Sequence, residues 1–242
     1  LKRPRHTYES TSSLKIWGGQ GIFLGIEIAH NKHGISLSQR KYACDLLQET
    51  CLLDTKLVGT PMDSNPDFWN NDDNYLENKT KYRRLVGKLI YLTVTRHDIS
   101  FVVDLVSQFM DEPQSVHWEA ALSILKYIKA SPGKGLLFKR HGHVKIEAYS
   151  DANYARSKDD KKSTYGYCTY VSGNLVTWRS KNQTTVARSS ANAEYRAMAH
   201  STSESLWLKN LLKELGFMYD DLIPTHCDNQ AAIHIVSTPI FY

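Results

Sequence analysis

The chain has 242 residues, enough for one large domain or two small ones, and its 41% hydrophobic and 23% charged content is that of a globular protein. No apolar run approaches the roughly 20 residues that cross a bilayer, and the basic start Leu1-Lys-Arg-Pro-Arg-His6 has no apolar stretch behind it to make a signal peptide. The net charge of +5 is unevenly spread: residues 139–190 carry ten Lys/Arg against four Asp/Glu, which suits a polyanionic ligand with bound cations but equally an ordinary solvated face.

Residues 1–20 carry no clear pattern, and the missing initiator Met suggests a piece of something longer. Ile22 to Ala29 reads as one strand, Asn31-Lys-His-Gly34 as a turn, and Ile35 to Ser38 as the returning strand of a hairpin. Gln39 to Leu53 has Tyr42, Ala43, Leu46 and Leu47 at helical spacing. From Thr60 to Lys81, Asn, Asp and Pro dominate and little remains to bury, which predicts a flexible linker. Three helices follow, over Tyr82–Thr93, Ile99–Met110 and Val116–Ala130, with Ser131-Pro-Gly133 as the stop.

After Gly135 the period changes from helix to strand. Leu136–Phe138, Val144–Tyr149, Tyr165–Val171 and Leu175–Trp178 are predicted strands, the last two joined by Ser172-Gly-Asn174, whose chemistry suits positive φ. Ser189 and Ser190 offer an N-cap for one long helix over Ala191–Leu215, which Gly216 ends. Thr225–Asp228 reads as a short strand and Gln230–Val236 as a short helix. This succession describes an α/β fold with a mixed sheet.

The four cysteines form no CxxC pair and suggest no disulfide framework, which fits reduced thiols in an intracellular protein. His141-Gly-His143 and His226-Cys227 lack a matching second pair of ligands and make a poor zinc set. Three carboxylates stand out instead. Asp151 ends the strand Val144–Tyr149, Glu194 lies on the long helix, and Asp228 ends the short strand. Phosphodiester hydrolysis needs an activated nucleophile and a stabilised leaving oxygen, and two Mg²⁺ ions held by a few such carboxylates supply both. Acids near strand ends are common in any α/β domain, so the triplet by itself leaves incidental acids as an open alternative.

The wording around the triplet is more specific. Tyr149-Ser-Asp-Ala-Asn-Tyr-Ala155, Lys162-Ser-Thr-Tyr-Gly-Tyr167, the segment Val186 to Met198 and Cys227-Asp-Asn-Gln-Ala-Ala-Ile-His234 closely resemble the ribonuclease H domain of Copia-type retrotransposon Pol polyproteins. Phe23-Leu-Gly-Ile-Glu27 and Gly34 to Tyr42 resemble the end of that family's reverse transcriptase, and Tyr82 to Tyr91 with Thr95-Arg-His-Asp-Ile-Ser100 resemble its connection segment. The resemblance covers roughly residues 22–242 by matching motifs. It implies a ribonuclease H-like mixed sheet with flanking helices, preceded by a mainly helical connection segment and an N-terminal β-hairpin. It divides the chain into the end of a reverse transcriptase (1–60), a linker (61–81), a helical connection (82–134) and a ribonuclease H-like domain (135–242).

By that resemblance Asp151, Glu194 and Asp228 are the metal-binding and catalytic carboxylates, the cofactor is Mg²⁺ or Mn²⁺, and the substrate is the RNA strand of an RNA–DNA hybrid, read by shape and 2′-hydroxyls. Phe23, Leu24 and Gly25 would position a primer end, and Arg156, Lys161, Lys162 and Arg188 would contact nucleic acid; other parts of a Pol polyprotein are possible partners. The chain departs from the family pattern at Asn153, Tyr154 and Asn192, and it ends at Tyr242, before the family's fourth aspartate. The family's polymerase aspartates lie upstream of this stretch, so polymerase activity is not expected, and without the fourth aspartate nuclease activity is expected to be impaired. A nucleic-acid-binding remnant without catalysis is the alternative.

Overall fold

The computed structural model describes residues 20–62, 68, 74–156 and 160–238. The described residues form a mixed α/β structure with two four-stranded sheets and six α-helices. No helix among the described residues is long and apolar enough to cross a membrane.

The first sheet begins with β1 (Gln20–Phe23), β2 (Ile26–Asn31) and β3 (Gly34–Ser38), all antiparallel. The predicted single strand over Ile22–Ala29 is thus two strands. Leu24 and Gly25 both take positive φ, 49° and 73°, a left-handed pair that makes a tight hairpin turn. The apolar run conceals that turn, because Leu24 reads as a strand residue. The hairpin is also extended by a distant partner: β4 (Leu136–Lys139) pairs antiparallel with β3, Gly34 facing Lys139 and Leu37 facing Leu136.

Four helices form the first core: α1 (Arg40–Glu49), α2 (Lys79–Leu92), α3 (Ser100–Ser107) and α4 (Ser115–Ala130). Leu46 and Leu47, Leu85, Val86 and Leu89, Val102, Val103 and Val106, and Ile124, Leu125 and Ile128 pack into one buried cluster. Each such side chain contributes about 1.5–3 kcal/mol on burial, so the helices are held by packing more than by intrinsic propensity. Asn78 caps α2 by accepting from the Lys81 N–H at 2.9 Å. Residues 63–67 and 69–73 of the predicted linker lie outside the described residues, while Phe68 is buried and its carbonyl meets His117 Nε2 at 3.0 Å.

A buried polar hub ties this core to the next turn of chain. A short 3₁₀ turn over His97–Ile99 presents Asp98 to Arg96, which is 2% exposed. Arg96 donates from Nε to Oδ1 at 2.9 Å and from Nη2 to Oδ2 at 3.0 Å, a two-pronged pairing. Tyr127 Oη and Lys134 Nζ each add a bond to Oδ2 at 3.0 Å.

The second sheet has the order β7-β6-β5-β8, from β5 (Ile146–Asn153), β6 (Thr164–Val171), β7 (Asn174–Asn182) and β8 (Thr225–His226). The β5–β6 and β6–β7 pairs are antiparallel and β5–β8 is parallel, so the sheet is mixed. The turn at Ser172-Gly173 has φ of 53° and 72°, as its composition predicts. The long helix α5 (Ser190–Glu214) packs across β5 and β6, and α6 (Gln230–Ser237) packs on α5. Ile146, Leu208 and Tyr219 close this smaller core. Trp178 Nε1 donates to the Thr93 carbonyl at 3.2 Å, joining the sheet to the helical core.

Candidate metal centre

Strand alternation decides where β5 aims its side chains. Ile146, Ala148 and Ser150 are buried, Ile146 against Leu208 of α5, while Tyr149 and Asp151 lie on the other face and are exposed. Glu194 sits in the first turns of α5, whose start is fixed by Ser189 accepting from the Asn192 N–H at 3.1 Å. The Glu194 side chain is 5% exposed, and its Oε1 accepts from the Ala152 N–H at 3.0 Å, next to Asp151. Asp228 follows β8, and Asn229 caps α6 by accepting from the Ala232 N–H at 2.9 Å.

The structure brings Glu194, Cys227 and Asp228 together: one potential ligand atom from each lies within 4.8 Å of the others. The Asp151 carboxylate falls outside that set, in keeping with its position on the opposite face of β5. Its charge still reaches Glu194. Burial pushes the Glu194 pKa up, and the charges of Asp151 and Asp228 push it further, against the lowering effect of the Ala152 N–H. A buried carboxylate with two like charges beside it is a place where a cation removes an electrostatic cost.

Cys227 was not among the predicted ligands. Its Sγ donates to Glu194 Oε2 at 3.7 Å, and burial raises its thiol pKa, with the charges of Glu194 and Asp228 adding to the rise. The thiol therefore stays protonated and acts as a donor to the carboxylate. Glu194 and Asp228 offer hard oxygen donors, which suit Mg²⁺ or Mn²⁺. Strict alternation would have sent residues 227 and 228 to opposite faces, but β8 ends at His226, so both side chains turn to Glu194. His226 itself stacks on Tyr149, with ring centroids 4.5 Å apart.

The predicted nucleic-acid residues are dispersed. Phe23 and Leu24 are exposed at the hairpin, where the Leu24 carbonyl accepts from Tyr91 Oη. Arg156 lies over the Phe101 ring at 4.3 Å with its Nε buried and without a hydrogen-bond partner. Lys162 pairs with Asp160 at 2.6 Å, and Lys161 and Arg188 are exposed. Beside Asp151 an apolar cleft of about 330 Å³ opens between the helical core and the sheet, with Phe101, Tyr149, Tyr170 and Trp178 in its walls.

Comparison with known proteins places this geometry in context. The chain is 39% identical over 241 residues to the retrovirus-related Pol polyprotein from transposon RE2 of Arabidopsis thaliana, covering 98% of the chain and 17% of that protein. It is 41% identical over 220 residues to the corresponding polyprotein from transposon RE1 of the same plant, covering 91% of the chain and 15% of that protein. The chain is homologous to a segment of the Pol polyproteins of Copia-type retrotransposons. It spans about a sixth of the length of these polyproteins. An uncharacterized mitochondrial protein of Arabidopsis thaliana is 36% identical over 198 residues, 82% of each chain. No family model and no solved structure matches the chain.

Proposed function

We propose that this Copia-type Pol segment carries a ribonuclease H-like site that hydrolyses the RNA strand of an RNA–DNA hybrid. The observation that carries the reading is the convergence of Glu194 and Asp228 from separate elements, with the Asp151 charge close enough to perturb Glu194. Asp151, Glu194 and Asp228 would hold Mg²⁺ or Mn²⁺. When bound, the cations supply charge stabilisation for the attacking and leaving oxygens of an in-line displacement.

The residues around the site orient and exclude. The Ala152 N–H and the Cys227 thiol fix the two Glu194 oxygens, one each, which holds the buried carboxylate in one rotamer. Hybrid selectivity would follow from the shape of the duplex and its 2′-hydroxyls.

The test is cleavage of end-labelled RNA annealed to DNA, with and without EDTA. Cleavage that needs Mg²⁺ or Mn²⁺, spares duplex DNA and disappears in Asp151→Asn, Glu194→Gln and Asp228→Asn supports the proposal. Cleavage that survives EDTA or these substitutions overturns it. A second reading, nucleic-acid binding without hydrolysis, is favoured by the basic side chains and predicts salt-sensitive binding in EDTA with no cleavage in Mg²⁺.

A further inference from the structure

The tip of the β2–β3 hairpin and the end of β4 enclose a pocket of about 550 Å³. Its lining includes His30, Lys32, His33, Lys139 and Arg140, and no carboxylate. All five side chains are exposed. Among the described residues Lys32, Lys139 and Arg140 have no acidic partner. Some cations elsewhere are paired: Glu49 neutralises Arg84 and Lys88, and Asp98 takes Arg96 and Lys134.

The backbone is built to hold these charges together. Gly34 faces Lys139 across the β3–β4 ladder and has φ of +148°. A Cβ at Gly34 would overlap the Phe138 carbonyl oxygen, so only glycine lets β4 lie this close to the hairpin tip. Asn31 Oδ1 accepts from the His33 and Gly34 N–H groups at 2.8 and 3.1 Å and fixes the tip. Asn174 clamps the other side: its Oδ1 accepts from the Lys139 N–H at 2.7 Å and its Nδ2 donates to the Lys139 carbonyl at 3.0 Å. Three like charges held next to one another without a counterion repel, and an anion relieves that repulsion. Arginine's planar fork and the lysine point charges both suit phosphate oxygens.

We propose that this pocket is a docking site for the phosphodiester backbone of a nucleic acid, separate from the carboxylate site. Binding there is independent of base sequence, because backbone phosphates carry no sequence information. The choice of nucleic acid as the polyanion rests on homology to the Pol polyproteins and on the charge of the pocket. It does not depend on the hydrolysis proposed above.

The test uses the full chain in EDTA, so that the carboxylate site and its cations play no part. A fluorescein-labelled mixed-sequence RNA–DNA hybrid and a single strand of equal length are titrated by anisotropy between roughly 50 and 300 mM KCl, the range over which counterion release is read. Lys32→Glu/Lys139→Glu/Arg140→Glu is compared with Lys56→Glu/Lys126→Glu/Lys213→Glu, which changes net charge equally. Affinity is expected to fall about tenfold or more in the pocket variant beyond the control, with a log–log salt slope shallower by about 2–3. Equal losses in the two variants would overturn the proposal, as would polyglutamate competing as well as nucleic acid at equal charge. If the reversal impairs folding by circular dichroism, Lys32→Gln/Lys139→Gln/Arg140→Gln is read in its place, and unchanged affinity and slope there would also overturn it.

Discussion

Replacing Asp98 with Ala isolates the cost of a buried charge left without its partner. Arg96 is 2% exposed and spends two guanidinium N–H groups on Asp98, keeping only Nη1 on the Ser131 carbonyl at 3.0 Å. The substitution therefore leaves a buried cation short of two charged hydrogen bonds and also strips Tyr127 Oη and Lys134 Nζ of their acceptor. Lys134 is partly exposed and recovers water, so most of the penalty falls on Arg96. A loss of about 3–5 kcal/mol is expected from breaking such a pair. In urea, with a slope of about 3 kcal/mol/M, that moves the unfolding midpoint down by more than about 1 M.

The pH dependence gives a second check on the same hub. Burial alone would raise the Asp98 pKa, but the bonds from Arg96, Lys134 and Tyr127 outweigh it and hold the carboxyl well below the usual range. A lowered folded pKa contributes stability above the unfolded value near about 4 and loses it as pH falls further. The difference between wild type and Asp98→Ala should be level from neutral pH down to about 5 and shrink below about 4. Arg96→Met with Asp98→Leu should recover most of the loss, since apolar replacement of a whole buried pair is tolerated. A midpoint shift worth under about 1 kcal/mol for Asp98→Ala would refute the reasoning.

Asp104 should behave in the opposite sense: burial pushes its pKa up to about 6, against the lowering effect of Lys181, Gln108 and Arg179. Its ionisation costs nothing below about pH 4 and the full penalty above about 6, so Asp104→Asn should stabilise by about 1–2 kcal/mol at pH 7.5, after discounting for partial exposure, and by nothing at pH 4 in parallel urea curves. Asp228→Asn should raise the melting temperature in EDTA, because it removes a charge beside the buried Glu194, and should abolish any stabilisation by added Mg²⁺; an unchanged response to Mg²⁺ in differential scanning fluorimetry would count against the site. Gly34→Ala should cost more than about 3 kcal/mol, since both the φ of +148° and the Phe138 carbonyl exclude a methyl group, whereas Gly142→Ala, with open space around it, should cost only its φ of +72°, about 1 kcal/mol.

The local features of the fold were the legible ones. The long helix, its Ser189 cap and the turn at Ser172-Gly173 follow from residue chemistry within a few positions, and each forms as the sequence implies. What the sequence hid was non-local or disguised. Leu24 turns the chain although it looks like a strand residue, because the Tyr91 hydroxyl meets its carbonyl and Gly25 completes the turn. β4 joins β3, a pairing that no short-range pattern encodes. At the candidate site the sequence picked out Asp151, Glu194 and Asp228; Glu194 and Asp228 converge, Asp151 lies outside that set, and Cys227, whose approach depends on β8 stopping after two residues, was not picked out. Arg156 lies over Phe101, an apolar ring that is its neighbour in space and not in sequence.

The β3–β4 pairing also bears on how the chain comes off the ribosome. Strand β3 is finished at Ser38, but its outer partner begins only at Leu136. At roughly 5–20 residues per second, roughly a hundred intervening residues take on the order of 5–20 s to synthesise. For that interval the hairpin presents an unpaired edge, with Ile35 and Leu37 along it, while the four-helix core is still being made. Completion of the first sheet is therefore a late event in synthesis, and the strand that closes it is also the one that brings Lys139 and Arg140 to the hairpin tip.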